Sequence, residues 1–389
     1  MRQPPFCPNS HCPHYYRDEC SSDDSRWYHS DGSFFTARVG EVARYRCCEC
    51  GKRFSESTFS LDYYAKRKIN LRRLRRSLAS ASSLRGASRQ LFCSPETVTR
   101  RIMILARQSI AAHAELSQYH SRREPLAADG FQSFSVSQYH PNHFNLLCGD
   151  ESQYVYAMTS VSLKRSGRMS AAQRAKRDQI EAADPSDPGA LEREFCEIVT
   201  AALRLWQRQE EQAGDDTEHN EEAEAARREF ITDEHPIYPW AIISAGATGK
   251  MEHRTVNSRA PRSGDNPLFS VNYTDREIRK DLAEHHRETV CFARGVSHSV
   301  ARMWVYLVWH NIEKPYRISP RSQATHAEVS GVSKREVRRQ RRKVFRRRAF
   351  LGHYPQLSES QRRDWLQLHW TPERENRINR RITPAYATN

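Results

Sequence analysis

LAADGFQSFSVSQYHPNHFNLLCGDESQYVYAMTSVSL, residues 126–163, is the stretch on which the fold turns. Three segments of it, Asp129-Gly130-Phe131, His143–Cys148 and Gln153–Leu163, are rich in aromatic and β-branched residues and predict strands. EFITD at 229–233 predicts a fourth strand and RTVN at 254–257 a fifth. The flanking patterns are helical. Ile69, Leu71, Leu74, Leu78 and Leu84, then Val98, Ile102, Leu105 and Ile110, recur mostly every three or four residues, and residues 274 to about 312 do the same. The expectation is a multidomain α/β chain built around a mixed sheet.

A chain of 389 residues has room for two or three domains, and its net charge of +15 calls for a polyanionic partner. The charge is clustered, in KRKINLRRLRR at 66–76 and KREVRRQRRKVFRRR at 334–348. Clustered cations neutralise phosphates and release counterions, so nucleic acid is the expected partner, with an anionic membrane surface as the alternative. The opening MRQPPFCPNS does not read as a signal peptide, so none is expected, and nowhere do about 18 apolar residues run together. A cytoplasmic, nucleoid-associated protein is expected. There thiols stay reduced, and clustered cysteines bind metal rather than pair.

Six of the ten cysteines lie in residues 1–62. Cys7 and Cys12 are followed by Cys47 and Cys50 in RYRCCECGKRF, residues 44–54. Four thiolates suit tetrahedral zinc, and each short spacing lets a pair sit on one knuckle. Cys48, Cys20, His11 and His14 are the possible substitutes. This is a structural zinc ribbon by expectation.

LRGASRQLFCSPETVTRRI, residues 84–102, reads as a helix-turn-helix. Ala87 and Ser88 allow close helix packing, Leu91 and Val98 fill the core, and Ser94-Pro95 caps and opens a second helix. That helix is expected to present Glu96, Thr97, Thr99, Arg100 and Arg101 to a major groove and its phosphates. An ordinary helical hairpin fits the same pattern. Far downstream, Ser330 to Lys334 (SGVSK) echoes the turn of a second small helical DNA-binding unit, but the basic stretch around it reads better as a backbone-binding arm, with a flexible basic tail as the alternative.

Two-metal phosphoryl chemistry needs carboxylates converging on hard cations, which means magnesium or manganese. Asp129, after PLAA, and Asp233, after FIT, each end an apolar approach. On local sequence alone Asp129-Gly130 also reads as a turn and Asp233-Glu234 as a helix start.

The segment RETVCFAR, residues 287–294, resembles a signature of the insertion sequence one family of bacterial transposases. The zinc-ribbon stretch from Arg44 to Phe54 and Thr232-Asp233 with Tyr238 are also similar to that family, and the order of parts agrees over roughly residues 5–312. The resemblance implies a zinc ribbon, a helix-turn-helix and a ribonuclease-H-like catalytic domain with an Asp-Asp-Glu triad. It assigns Asp129 and Asp233 as the first two acids. The third should lie on a helix about 15 residues before Arg287. That position is Asn272, a poor ligand, so the assignment moves one turn on to Asp275, with Glu277 second. Arg287 and Arg294, seven apart, would share one helix face and hold DNA phosphates. His285 and His286 either help position a phosphate or are surface residues.

The expected domains are a zinc ribbon (1–62), a helix-turn-helix domain (63–118), a catalytic domain (119–313, with a helical insertion at about 164–228) and a basic C-terminal tail (314–389). The expected function is that of a transposase. It binds terminal inverted repeats of double-stranded DNA as a homo-oligomer, then cuts and transfers strands with Mg2+ or Mn2+, with Zn2+ structural and no membrane partner. One alternative is a catalytically silent, transposase-derived DNA-binding protein, kept open by Asn272. Another is a zinc-dependent RNA-binding or regulatory protein.

Overall fold

The strand-forming run folds into an antiparallel meander that two later strands extend in parallel. The computed structural model of the chain describes residues 3–16, 26–37, 39–63, 65–183, 185–213, 228–318 and 323–366. Cys20, most of the acidic stretch at 210–226 and the last 23 residues, 367–389, lie outside the described residues. The first strands, β1 (Tyr28–Thr36), β2 (Gly40–Cys47) and β3 (Arg53–Ser55), make a small antiparallel sheet. Helices α1 (Leu71–Leu78), α2 (Leu84–Gln90) and α3 (Pro95–Leu116) follow. The meander is β4 (Leu126–Phe134), β5 (Pro141–Gly149) and β6 (Val155–Ser162). After it come α4 (Ala171–Ala183), α5 (Ala190–Ala213), β7 (Glu229–Asp233), α6 (Ile237–Ser244) and β8 (Glu252–Val256). The chain then continues as α7 (Phe269–Asp281), α8 (Val296–Ile312), α9 (His326–Val329), α10 (Lys334–Lys343) and α11 (Glu359–Leu366).

The larger sheet has the order β6-β5-β4-β7-β8, with β7 parallel to both of its neighbours. Side chains alternate across it. Leu126, Ala128, Leu147 and Phe230 face α5 and α6, packing against Phe195, Val199, Trp206 and Tyr238. Ala127, Phe131, Leu146 and Ile231 face the other way, into a core shared with α3, α7 and α8. The Asp129-Gly130 pair is therefore mid-strand rather than a turn. Glycine is needed there because a Cβ at 130 would come within 2.5 Å of the His143 ring.

Two expectations are corrected. Among the described residues of the insertion expected at about 164–228, α4 has no buried residue. α5 is one of the sheet's two covering layers, because its apolar residues Phe195, Ile198, Val199, Ala202 and Leu205 form a single stripe that the sheet buries. Nor is the C-terminal region a free basic tail through residue 366. Val332, Val337 and Val344 pack under α3 and α8, and Trp365 is fully buried. The Arg107 Nε donates to the Trp365 carbonyl at 3.1 Å, and Trp304 donates to Asp364 at 2.7 Å.

Phe350 ties this region to the first sheet. Its ring meets Phe6 edge-on at 4.9 Å and Phe59 at 5.8 Å, and the Arg348 amide donates to the Phe59 carbonyl. Truncating a buried aromatic costs about 3–5 kcal/mol. Phe350→Ala is expected to lower the urea midpoint accordingly and to speed proteolysis within the sheet of β1, β2 and β3. A midpoint and cleavage pattern like wild type would show that the ribbon does not depend on this contact.

Candidate functional site

β4 and β7 run side by side in parallel, pairing Leu126 with Phe230 and Ala127 with Ile231. Two residues further along each strand come Asp129 and Asp233, so both carboxylates emerge on the α7 side of the sheet. Asp233 ends its strand, and its Oδ1 accepts the His235 amide at 3.0 Å. α7 crosses this face with Val271 and Ile278 in the core and Asp275 between them. Asp275 is half-buried, and its Oδ1 is shielded from solvent with no hydrogen-bond partner.

Electrostatics tie the three acids together. Burial first, and then the neighbouring Asp233 charge, push the Asp129 carboxyl up to about 6, against the pull of the Gly130 amide and Arg262. Burial and the Asp129 charge hold Asp275 well above the carboxylate range, opposed by Arg279 and Arg262. Tyr238, whose hydroxyl donates to the Ala128 carbonyl at 3.2 Å, is raised by its burial and by the charges of all three. The acids are nonetheless not drawn into a tight cage. Among the described residues, the only group of three or more potential ligands mutually within 4.8 Å is the four cysteines.

Asp129 and Asp275 open onto a cleft of about 740 Å³ that also takes in Asn272. Its remaining charged lining is cationic: Arg262, Arg276, Arg279, Lys280 and Arg287. Arg279 is anchored by the Gln132 carbonyl at 3.1 Å and lies over the Phe131 ring. Sequence reading missed Arg262, Arg276 and Arg279. The last two were within reach, since positions 272, 275, 276 and 279 share one helical face. Glu277, the second choice for the third acid, points elsewhere. It is buried and bound by Lys280 at 2.7 Å and Lys314 at 2.5 Å, which hold it below the usual range despite the cost of burial.

The segment 287–294 is corrected from helix to irregular loop between α7 and α8. Thr289 organises it, donating to the Ala283 carbonyl at 2.6 Å and accepting the Cys291 amide at 2.9 Å. The shared face inferred for Arg287 and Arg294 therefore does not exist. Arg287 lines the cleft, whereas Arg294 is exposed outside its lining. His285 is no surface residue either. It lies under Phe131 and Phe144, hydrogen-bonded to Ser133, and burial lowers it to about 3, so it is neutral. His286 does line the cleft.

The helix-turn-helix candidate is made of α2 and α3. Ser94 accepts the Thr97 amide at 3.2 Å and caps α3, whose later turns run through the core. Its first turn exposes Glu96 and Arg100, which pair at 2.6 Å, and leaves Thr97 and Thr99 partly exposed, Thr99 donating to the Pro95 carbonyl. Arg101 is a correction. It is buried, donating to the carbonyls of Leu61 and Arg67 and to Asp62, and so joins the ribbon to α3 instead of reaching outward.

The metal centre is better defined. Cys7 Sγ lies 3.6 Å from Cys50 Sγ, and Cys12 Sγ lies 3.7 Å from Cys47 Sγ. Tetrahedral zinc with bonds of about 2.3 Å sets its sulfurs about 3.8 Å apart, whereas a disulfide needs about 2 Å. The four cysteines therefore fit a structural zinc. Gly51, at φ +67°, makes the turn of the second knuckle, its amide donating to the Cys47 carbonyl at 3.1 Å. Cys48 points away, toward His29 at 3.3 Å. Phe6, Tyr15, Trp27, Tyr45, Phe54 and Phe59 form the core around the knuckles.

The raised Asp129 has a measurable consequence. Its folded value of about 6 lies above the ordinary 3.8, so the stability it contributes is present at low pH and lost as pH rises through 6. Asp129→Asn mimics the protonated form. Without added divalent metal it is expected to melt above wild type at about pH 7.5, by a margin that shrinks toward about pH 5. Manganese should then raise wild type but not the variant. Equal melting at both pH values would mean that Asp129 is not desolvated.

Among the described residues no helix is long and apolar enough to cross a membrane. Compared with known proteins, the chain matches no family model and no curated sequence.

Proposed function

We propose that the chain is a metal-dependent DNA transposase, similar to the insertion sequence one family, whose larger sheet is the ribonuclease-H-like catalytic unit. The observation that carries the reading is the juxtaposition of Asp129 and Asp233 on adjacent parallel strands, with Asp275 above them beside a cationic cleft. The unsatisfied Asp275 Oδ1 and the mutual repulsion of Asp129 with both partners are what a site for added positive charge requires. Asp129, Asp233 and Asp275 would hold Mg2+ or Mn2+, which when bound activates a water or 3′-hydroxyl and stabilises the leaving oxygen. Arg262, Arg276 and Arg287 bind the phosphates on either side of the scissile one, and Arg279, fixed by the Gln132 carbonyl, keeps that wall rigid. The zinc ribbon and the α2–α3 unit hold the terminal repeat of duplex DNA, with Thr97, Thr99 and Arg100 at the α3 tip. Joining two element ends calls for a homo-oligomer.

The test is cleavage of a labelled duplex carrying the flanking repeat of the gene's own element, with manganese. Cutting at the repeat boundary supports the reading. Binding without cutting favours the second one, a catalytically silent DNA-binding descendant. Asn272 in the cleft and the open spacing of the acids are the observations on that side.

A further inference from the structure

A dense run of arginines lies outside the cleft, on α10. At 100° per residue, Lys334, Arg335, Arg338, Arg339 and Arg342 fall within one arc of the helix, and all five are exposed. The opposite arc carries Glu336, Val337 and Gln340, all buried. Among the described residues only Arg339 of the five has a carboxylate partner, Glu336 at 3.3 Å.

This cationic face is rigidly mounted. α9 begins with a reciprocal cap, in which the Thr325 amide donates to Glu328 at 2.9 Å and the Glu328 amide donates to Thr325. It ends at Gly331, at φ +94°, pressed so closely on the segment after α3 that a Cβ would lie 2.4 Å from Ser121 Oγ. Ser333 then caps α10 by accepting the Glu336 amide at 3.2 Å. Ala327, Val332, Val337 and Val344 pack on Ala112 and Leu116 of α3 and Val308 and Ile312 of α8. Gln340 donates to Glu115 at 2.6 Å, and Lys343 pairs with the same carboxylate. A short helix, a glycine turn and a capped second helix with its outer face free form a helix-turn-helix.

We propose that α9 and α10 are a second unit that reads duplex DNA, separate from α2–α3, with α10 entering the major groove. Lys334, Arg335 and Arg338, nearest its start, meet base edges, and Arg342 meets a phosphate. Three observations select this partner. Four of the five cations have no carboxylate partner among the described residues, so phosphates displace none of their pairs. The exposed arc carries no aromatic residue on which unpaired bases would stack. The helix fits the wide major groove of B-form DNA and not the narrow one of duplex RNA. The proposal extends the reading of the chain as a DNA enzyme, but it needs neither the acids nor their metal.

The experiment uses the full zinc-loaded chain without magnesium or manganese. Binding to a labelled random-sequence duplex of about 30 base pairs is followed between about 50 and 200 mM salt. The triple variant Arg335→Ala, Arg338→Ala, Arg342→Ala changes only exposed helix positions, and its melting temperature checks the fold. The slope of log K against log salt should fall by about 2 to 3, with affinity at least about tenfold weaker. Selection from a random duplex library should enrich a different sequence for Arg338→Ala than for wild type. An unchanged slope, an unchanged enriched sequence, or an equal loss on duplex RNA overturns the proposal. Wild type that never cuts DNA leaves these readouts unaffected, so failure of the catalytic reading is told apart from failure of this one.

Discussion

Asp129→Asn is expected to reduce manganese-dependent strand cleavage at least about a thousandfold while leaving duplex affinity within about twofold. The amide keeps the shape of the side chain but removes the anion, and a hard divalent cation loses a charged oxygen ligand. Removing one preorganised electrostatic group from an active site costs about 10² to 10³ in rate. The loss here should lie at or beyond the top of that range, because Asp129 stands between the other two acids electrostatically: the Asp233 charge raises it, and its own charge raises Asp275. Asp275→Asn should fall with it. Glu277→Gln should stay within a few-fold of wild type, because Glu277 answers to Lys280 and Lys314 instead of the cleft. If Glu277→Gln loses cleavage and Asp275→Asn keeps it, the third ligand has been misassigned. Duplex affinity is the control, since these substitutions leave the ribbon and α10 untouched.

Cys47→Ser is expected to take bound zinc from one ion per chain to none and to unfold the sheet of β1, β2 and β3. The first sheet is small, and its aromatic core is closed at the knuckles by Cys7, Cys12 and Cys47. Apparent binding energies of structural zinc, about 10–16 kcal/mol, exceed what so small a core supplies. The loss should also spread beyond the ribbon. Phe350 packs on Phe6 and Phe59, and a Cβ on Gly352 would lie 2.7 Å from the Tyr15 hydroxyl, so the connection between α10 and α11 loosens too. Hydrogen exchange should show both segments unprotected, with β4 to β8 still protected. Retained zinc with unchanged exchange would mean that another residue replaces the fourth thiolate. Cys48 stands nearest in sequence, but its thiol faces His29.

The strands within 126–163, at 229–233 and at 254–257 were legible because those segments are rich in aromatic and β-branched residues. The cysteine set was legible because two short spacings leave little choice of knuckle. The helix of α5 was visible but its role was not. An apolar stripe says that a face is buried without saying against what, and the length between β6 and β7 suggested an appendage. The C-terminal helices were hidden by charge. Val332, Val337, Val344, Phe350 and Trp365 are sparse among arginines, and only the packing shows them buried, in three separate parts of the core. The loop at 287–294 read as helix because it lies inside the helical pattern from 274 to about 312, which α7 and α8 carry on either side of it. Arg101 read as outward because its neighbour Arg100 is, and one residue of helical rotation turns it into the core.

As proposed, Asp129, Asp233 and Asp275 share one divalent-metal site. The most direct test is anomalous diffraction at the manganese edge from crystals of the zinc-loaded chain soaked in manganese. A peak is expected beside Asp129, Asp233 and Asp275, and none in Asp129→Asn crystals soaked alike. No peak there, or one that survives in the variant, would contradict it.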